Sequence, residues 1–205
     1  RKLSKLKKPL LISTGMSNNN EISIALKNII NSGLKKNIIT LMHCNSAYPT
    51  PLEDVNLRAI QNLQKKFKVQ VGFSDHTLST SAPIAAVCLG AKVIEKHITL
   101  SRKLRGPDHK SSLEPKEFKY MINQIRGVEK MLGDGIKKMT KSEKINLKII
   151  RKSIVAKHNI KRGERFSEKN LIVKRPGMGI SPIHWDKVIG SVSKKNYKTD
   201  DFINE

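Results

Sequence analysis

The sequence predicts an α/β protein built of successive strand–helix units with a smaller β-rich domain after them, and three observations carry that reading. Short apolar runs that end in small polar residues recur, each followed by apolar residues at helical spacing. Near residue 150 the pattern changes to short strands separated by turn residues. Two of the strand-like runs, GFSDHT at 72–77 and VIEKHITL at 93–100, carry a histidine towards their C-terminal ends, where parallel α/β folds and barrels collect functional groups.

Taken in order, PLLISTG at 9–15 is a strand, and EISIALKNIINSG after it has the period of a helix. NIITLMHCNSAYPTP repeats the pattern, with a helix expected from about Leu52 to Lys66. VQVGFSDHT follows, with a helix over the small-residue stretch SAPIAAVCLG. The fourth strand, KVIEKHITL, leads through a long loop to KEFKYMINQIRGVEKMLG, a helix closed by Gly133. The expected division is 1–135 for these four units, 136–152 for a lysine-rich linker and 153–205 for the small β-rich domain. Four parallel strands leave one sheet face and two edges uncovered. The chain also opens on Arg1 rather than methionine, so a longer protein with upstream strands is expected.

The 205 residues are 38% hydrophobic, enough for a core, and no apolar run approaches the about 18 residues of a membrane span. The opening RKLSKLKKPLLISTGM lacks the apolar region of a signal peptide, and a cytoplasmic protein with no membrane partner is expected. Cys44 and Cys88 lie in apolar patterns without a close-spaced framework, which predicts buried, reduced thiols. The net charge of +23 raises nucleic acid as a partner, but the lysines are scattered and aromatics are only 4%. That distribution predicts a solvated lysine surface and no nucleic-acid partner.

His76 and His97 end successive strands and so can converge on one metal ion; the same spacing also fits two hydrogen-bonded rim histidines. Asp75 and Glu95 are candidates to orient those imidazoles, or to form strand-end salt bridges. Ser13 and Thr14 precede Gly15 at a strand-to-helix turn, with Ser74 at the analogous place in its own unit, and together they suggest a phosphate cradle. In RGPDH, Gly106 and Pro107 fix a loop that leaves Asp108 free to meet a hydroxylated substrate or water.

KPLLISTGMS, LMHCNSAYPTPLEDVNLRAI, VGFSDHT, GAKVIEKHITL, RGPDHKSSLEP and NLIVKRPGMGISP, in that order, resemble the sialic acid (N-acetylneuraminate) synthase family, which includes legionaminate and pseudaminate synthases. The resemblance covers essentially the whole chain. It implies the last four units of a (β/α)8 TIM barrel followed by a small β-rich, antifreeze-like SAF (β-clip) domain. It also implies a C–C bond-forming transferase of the EC 2.5.1 type that joins phosphoenolpyruvate to an N-acyl-mannosamine and releases phosphate. A legionaminate- or pseudaminate-type synthase acting on a diacetamido-trideoxy hexose is the alternative within the family. An inactive basic fragment that binds nucleic acid is the alternative outside it.

Residue by residue, the resemblance makes His76 and His97 metal ligands, with Mn2+ expected and Mg2+ or Co2+ as alternatives. Ser13 and Ser74 would hold phosphoenolpyruvate, Tyr48 and Asp108 would line the amino-sugar site, and Glu95 would lie close to the metal. Asp108 and Glu95 become the candidates for moving a proton or water. Ser46 stands where some members have asparagine, so its contact is phosphoenolpyruvate or sugar. The family's domain-swapped homodimer implies that Arg175 reaches the acylamino sugar in the partner's barrel. Without the upstream half, the chain alone is expected to be inactive.

Overall fold

Alternating apolar positions decide which side of each strand is covered. The computed structural model describes residues 2–204, and the chain divides into two compact units, Arg1–Gly135 and Ile136–Glu205. In the first, β1 (Leu10–Ser13), β2 (Ile39–Cys44), β3 (Gln70–Asp75) and β4 (Ile94–Lys96) pair in chain order, every pair parallel. Helices α1 (Asn19–Asn31), α2 (Ala59–Phe67), α3 (Ser81–Cys88) and α4 (Pro115–Leu132) follow the four strands in turn. An order of 1-2-3-4 has no switch point, so the unit is a sector of a barrel, half of a (β/α)8 array, rather than a doubly wound sheet.

The helix starts follow local chemistry. Asn18 caps α1, its side chain accepting the N–H groups of Asn20 and Glu21 while Glu21 returns to Asn18 N–H at 2.8 Å. Pro115 opens α4, where Glu117 accepts the N–H of Glu114 at 2.9 Å. The expected helix from Leu52 to Lys66 is instead a short 3-10 turn at Leu52–Asp54 and an α-helix that begins at Ala59. Asn56 between them has φ of 45°, a left-handed conformation through which a right-handed helix cannot continue.

Ile39 and Leu41 of β2 and Val71 and Phe73 of β3 pack with Ile22, Leu26, Ile60, Leu63, Phe67 and Ala86. This is the outer, helix-covered face. Residues of opposite parity, among them Leu11, Met42, Gly72, Ser74 and Glu95, point to the inner face, and Leu11 there is 51% exposed. Gly72 is required on that side, since a Cβ would come within 2.5 Å of Met42 Sδ and 2.8 Å of the Val93 carbonyl. The expectation of two buried thiols is corrected in part: Cys44 is half-buried, and Cys88, on the last turn of α3, is exposed.

The second unit opens with a capped helix, α5 (Lys141–Ile150), within the stretch expected as linker. Thr140 and Glu143 form its capping box, a local signal strong enough to organise a lysine-rich run. After it, β5 (Ser153–Ala156) and β6 (Leu171–Lys174) pair antiparallel, with further antiparallel bridges at Val155–Phe202, Ile160–Tyr197 and Arg165–Val192. Ile154, Ile160, Phe166, Leu171, Tyr197 and Ile203 close a core of their own. Among the described residues no helix is long and apolar enough to cross a membrane.

Candidate active site

His76 and His97 each stand one residue beyond a strand, on the inner parity set by Ser74 and Glu95. Their rings lie 5.3 Å apart, centroid to centroid, at 65°. His76 is buried, and its Nδ1 is 2.6 Å from the Asn45 carbonyl. A carbonyl only accepts, so Nδ1 carries a proton, and Nε2 is the ring nitrogen left to face the inner side. Ser74 Oγ is 3.3 Å from that nitrogen, but its proton is donated to Glu95 Oε1 at 2.6 Å. Among the described residues Nε2 thus meets only Ser74 Oγ, at this long distance. Tyr48 stacks on His76 with a centroid distance of 4.1 Å and lies 5.6 Å from His97, closing an aromatic cluster.

The loop after β2 brings Tyr48 there. Asn45 Oδ1 accepts Ala47 N–H at 2.7 Å, and Thr50 N–H donates to the His76 carbonyl at 3.0 Å, so the loop is tied to the end of β3. Gly15 admits Ser46 from the same loop, because a Cβ at Gly15 would sit 2.6 Å from Ser46 Oγ. Ser13 and Ser46 are both exposed. Thr14 is not a free anion donor, since its backbone N–H and its hydroxyl both donate to the Met42 carbonyl, at 3.0 and 2.9 Å.

Of the two readings open for Asp75 and Glu95, neither carboxylate contacts an imidazole among the described residues, and Asp75 forms the strand-end salt bridge. Glu95 holds Ser74, and Asp75 turns to the outer face, where Oδ2 meets Lys96 Nζ at 2.7 Å with both side chains fully buried. Lys96 also donates to the carbonyls of Thr77 and Ser79, and Asp75 Oδ1 accepts Thr77 N–H at 2.9 Å. Burial holds the Lys96 ammonium below the ordinary lysine range, and Asp75 opposes that shift. Every other described lysine is exposed. Asn45 and Lys96 were both missed as site residues, although the parity of VIEKH, which puts Lys96 on the apolar face with Ile94, was a usable signal for the second.

Asp108 is exposed, and the structure records no contact between its side chain and the histidine cluster. Its loop is nevertheless well anchored. The Asp108 carbonyl accepts the hydroxyls of Ser111 and Ser112, and His109 Nδ1 lies 2.8 Å from Thr99 Oγ1. Arg102 joins the Ser112 carbonyl at 2.9 Å and Glu117 at 2.6 Å. The Glu114 N–H, with Arg102 adding to it, holds the Glu117 carboxyl below the usual range. Arg175 belongs to the second unit, where its Nε donates to the Ile150 carbonyl at the end of α5 at 2.9 Å.

The donor set fits a divalent metal. Metal–nitrogen bonds of about 2 Å place two ligating rings roughly 5 Å apart, which is the spacing of His76 and His97. Among the described residues no group of three His, Cys, Asp or Glu gathers to hold an ion unaided. A site of this kind is completed by substrate or water oxygens.

The family model described as the NeuB family matches residues 1–137, and that of the SAF domain matches residues 151–204. The chain belongs to the NeuB family. This NeuB-family chain is 51% identical over its whole length to the N,N'-diacetyllegionaminic acid synthase of Campylobacter jejuni, of which it covers 61%. It is 38% identical, again over its whole length, to a pseudaminic acid synthase of the same species, of which it covers 59%. Among solved structures, the N-acetylneuraminic acid (sialic acid) synthetase of Leptospira borgpetersenii serovar Hardjo-bovis, in complex with citrate, matches with a TM-score of 0.64 and 33% identity, over 70% of this chain and 50% of that one. The NeuB-family chain thus spans about three fifths of the curated relatives it matches.

Proposed function

We propose that the protein carrying this chain condenses phosphoenolpyruvate with the open-chain aldehyde of an acylamino hexose, forming a nonulosonate and phosphate. The observation that carries this reading is the convergence of His76, His97 and Tyr48 beside the strand ends, with His76 held by the Asn45 carbonyl through Nδ1, in a NeuB-family chain. The 51% identity to a diacetyllegionaminic acid synthase favours a diacetamido hexose as the sugar. The N-acyl-mannosamine is the second reading, supported by likeness to a sialic acid synthetase.

His76 and His97 would hold a divalent ion, Mn2+ or else Mg2+ or Co2+, which when bound supplies Lewis-acid polarisation of the aldehyde. The Asn45 carbonyl keeps His76 in the Nδ1–H tautomer such a role needs. Tyr48 gives the sugar a flat apolar wall beside the imidazoles. Ser13 and Ser46 offer hydroxyls to the phosphate or carboxylate of phosphoenolpyruvate. Ser74 would do so only by turning its hydroxyl away from Glu95, and Glu95 would be the residue to take a proton. Asp108, with its loop anchored and its carboxylate exposed, would meet a sugar hydroxyl or the attacking water. Arg175 reaching the sugar of a partner's site, in a homodimer exchanging SAF domains, belongs to the same proposal.

The test is phosphate release by the protein, expressed with all the upstream sequence its gene encodes, from phosphoenolpyruvate and each of the two hexoses with Mn2+. Turnover of the diacetamido hexose is expected to exceed that of the mannosamine. Turnover of neither sugar would overturn the reading.

A further inference from the structure

We infer that Lys96 and Asp75 are positioning residues that set the separation and orientation of His76 and His97 from the opposite face of the sheet. Each is the immediate chain neighbour of one histidine, and the two are register partners across β3 and β4. Side chains alternate along a strand, so a pair locked on the outer face dictates where the next residues enter the inner one. The lock is tight. Both side chains are fully buried at 2.7 Å, Asp75 also takes the Thr77 N–H, and Lys96 takes the carbonyls of Thr77 and Ser79.

The backbone on both sides of His76 is thereby held to the strand that carries His97. On the inner face the Ser74–Glu95 bond joins the same strands, and backbone restraints are few, because β4 is three residues long and its pairing with β3 covers only Phe73–Asp75. On the His97 side, the strand end is held by Leu113 N–H to the His97 carbonyl at 3.0 Å. In a chain with 40 lysines and arginines, the one described lysine that is not exposed sits beside His97.

A buried ion pair can often be replaced by apolar residues of similar volume with little loss of stability, which separates positioning from folding. The metal readout rests on the proposed function; a second readout on metal-free protein does not. The variant is Asp75→Leu/Lys96→Met in the full-length protein. Mn2+ affinity is followed by electron paramagnetic resonance, and the His76 tautomer by long-range 1H–15N NMR of the metal-free protein.

The double variant is expected to melt cooperatively, to bind Mn2+ about tenfold or more weakly, the range seen when groups that orient metal ligands are lost, and to lose the single Nδ1–H signature of His76. The isosteric Asp75→Asn, which can still accept the Thr77 N–H, gives a second reading should the double variant fail to fold, with a fall in the same direction. Wild-type Mn2+ affinity together with an unchanged His76 signature in a folded variant would overturn the inference. Absence of Mn2+ binding by the wild type would instead overturn the metal reading, and the tautomer signature would then decide the positioning role alone.

Discussion

The two faces of β3 and β4 use polar residues in opposite ways. On the outer face Asp75 and Lys96 lie beside the apolar neighbours Phe73 and Ile94, and their hydrogen bonds are made to each other and to nearby backbone. On the inner face Ser74, His76, Glu95 and His97 are only partly matched: Ser74 and Glu95 satisfy one another, while His76 Nε2 meets only Ser74 Oγ, at 3.3 Å. One residue of register separates the two sets. The difference teaches that the candidate chemistry lies where polar capacity is left unspent, and that the same strands hold it steady by spending theirs on the other side.

That contrast breaks most sharply at Phe73. Phe73→Ala, on the outer face, is expected to lose about 3–5 kcal/mol of stability, read by denaturant unfolding, without directly touching the histidine cluster. His97→Ala, on the inner face, is expected to do the reverse: kcat falls about 10²–10³-fold, the cost of removing a group that stabilises developing charge, while the unfolding midpoint moves little. A His97 variant that loses stability but keeps its turnover would erase the distinction.

Gly72→Ala tests the inner face as packing surface. Its Cβ would meet Met42 Sδ and the Val93 carbonyl, so a loss of about 1–3 kcal/mol is expected. The smallest effect lies at the anchor of the Asp108 loop. Glu117 has a folded pKa lowered below the ordinary glutamate range, so its contribution is fully present above that range and is lost as pH falls through the lowered value. Wild-type and Glu117→Gln melting temperatures should therefore differ at neutral pH and converge in acid, with the exposure of this carboxylate keeping the difference small. A gap that persists unchanged in acid would remove Glu117 from the account.

Much of this was legible in order. The four strands and the helices α1, α3 and α4 follow from apolar periodicity, because buried faces repeat every two or 3.6 residues whatever the partner. The start of α2 was not, because it depends on the left-handed turn at Asn56, and a single backbone angle leaves no periodic trace. The exposed Cys88 shows the same limit: an apolar stretch announces burial of a helix, while its last turn can still face solvent. Of the candidate site, His76, His97 and Tyr48 were named from spacing and family likeness and do come together. Of the two readings open for Asp75, orienting an imidazole or forming a strand-end salt bridge, the structure shows the second, with Lys96.

By itself the sequence determined the βα repeat, the pair of strand-end histidines and the change of pattern before the second unit, since these rest on local period and chain order. Tertiary structure alone decided which group orients which. The Asn45 carbonyl reaches His76 across 31 residues, and Lys96 reaches Asp75 across 21. Hydrogen bonds between residues so far apart depend on strand register and on how the loops fold back, and no local pattern encodes either.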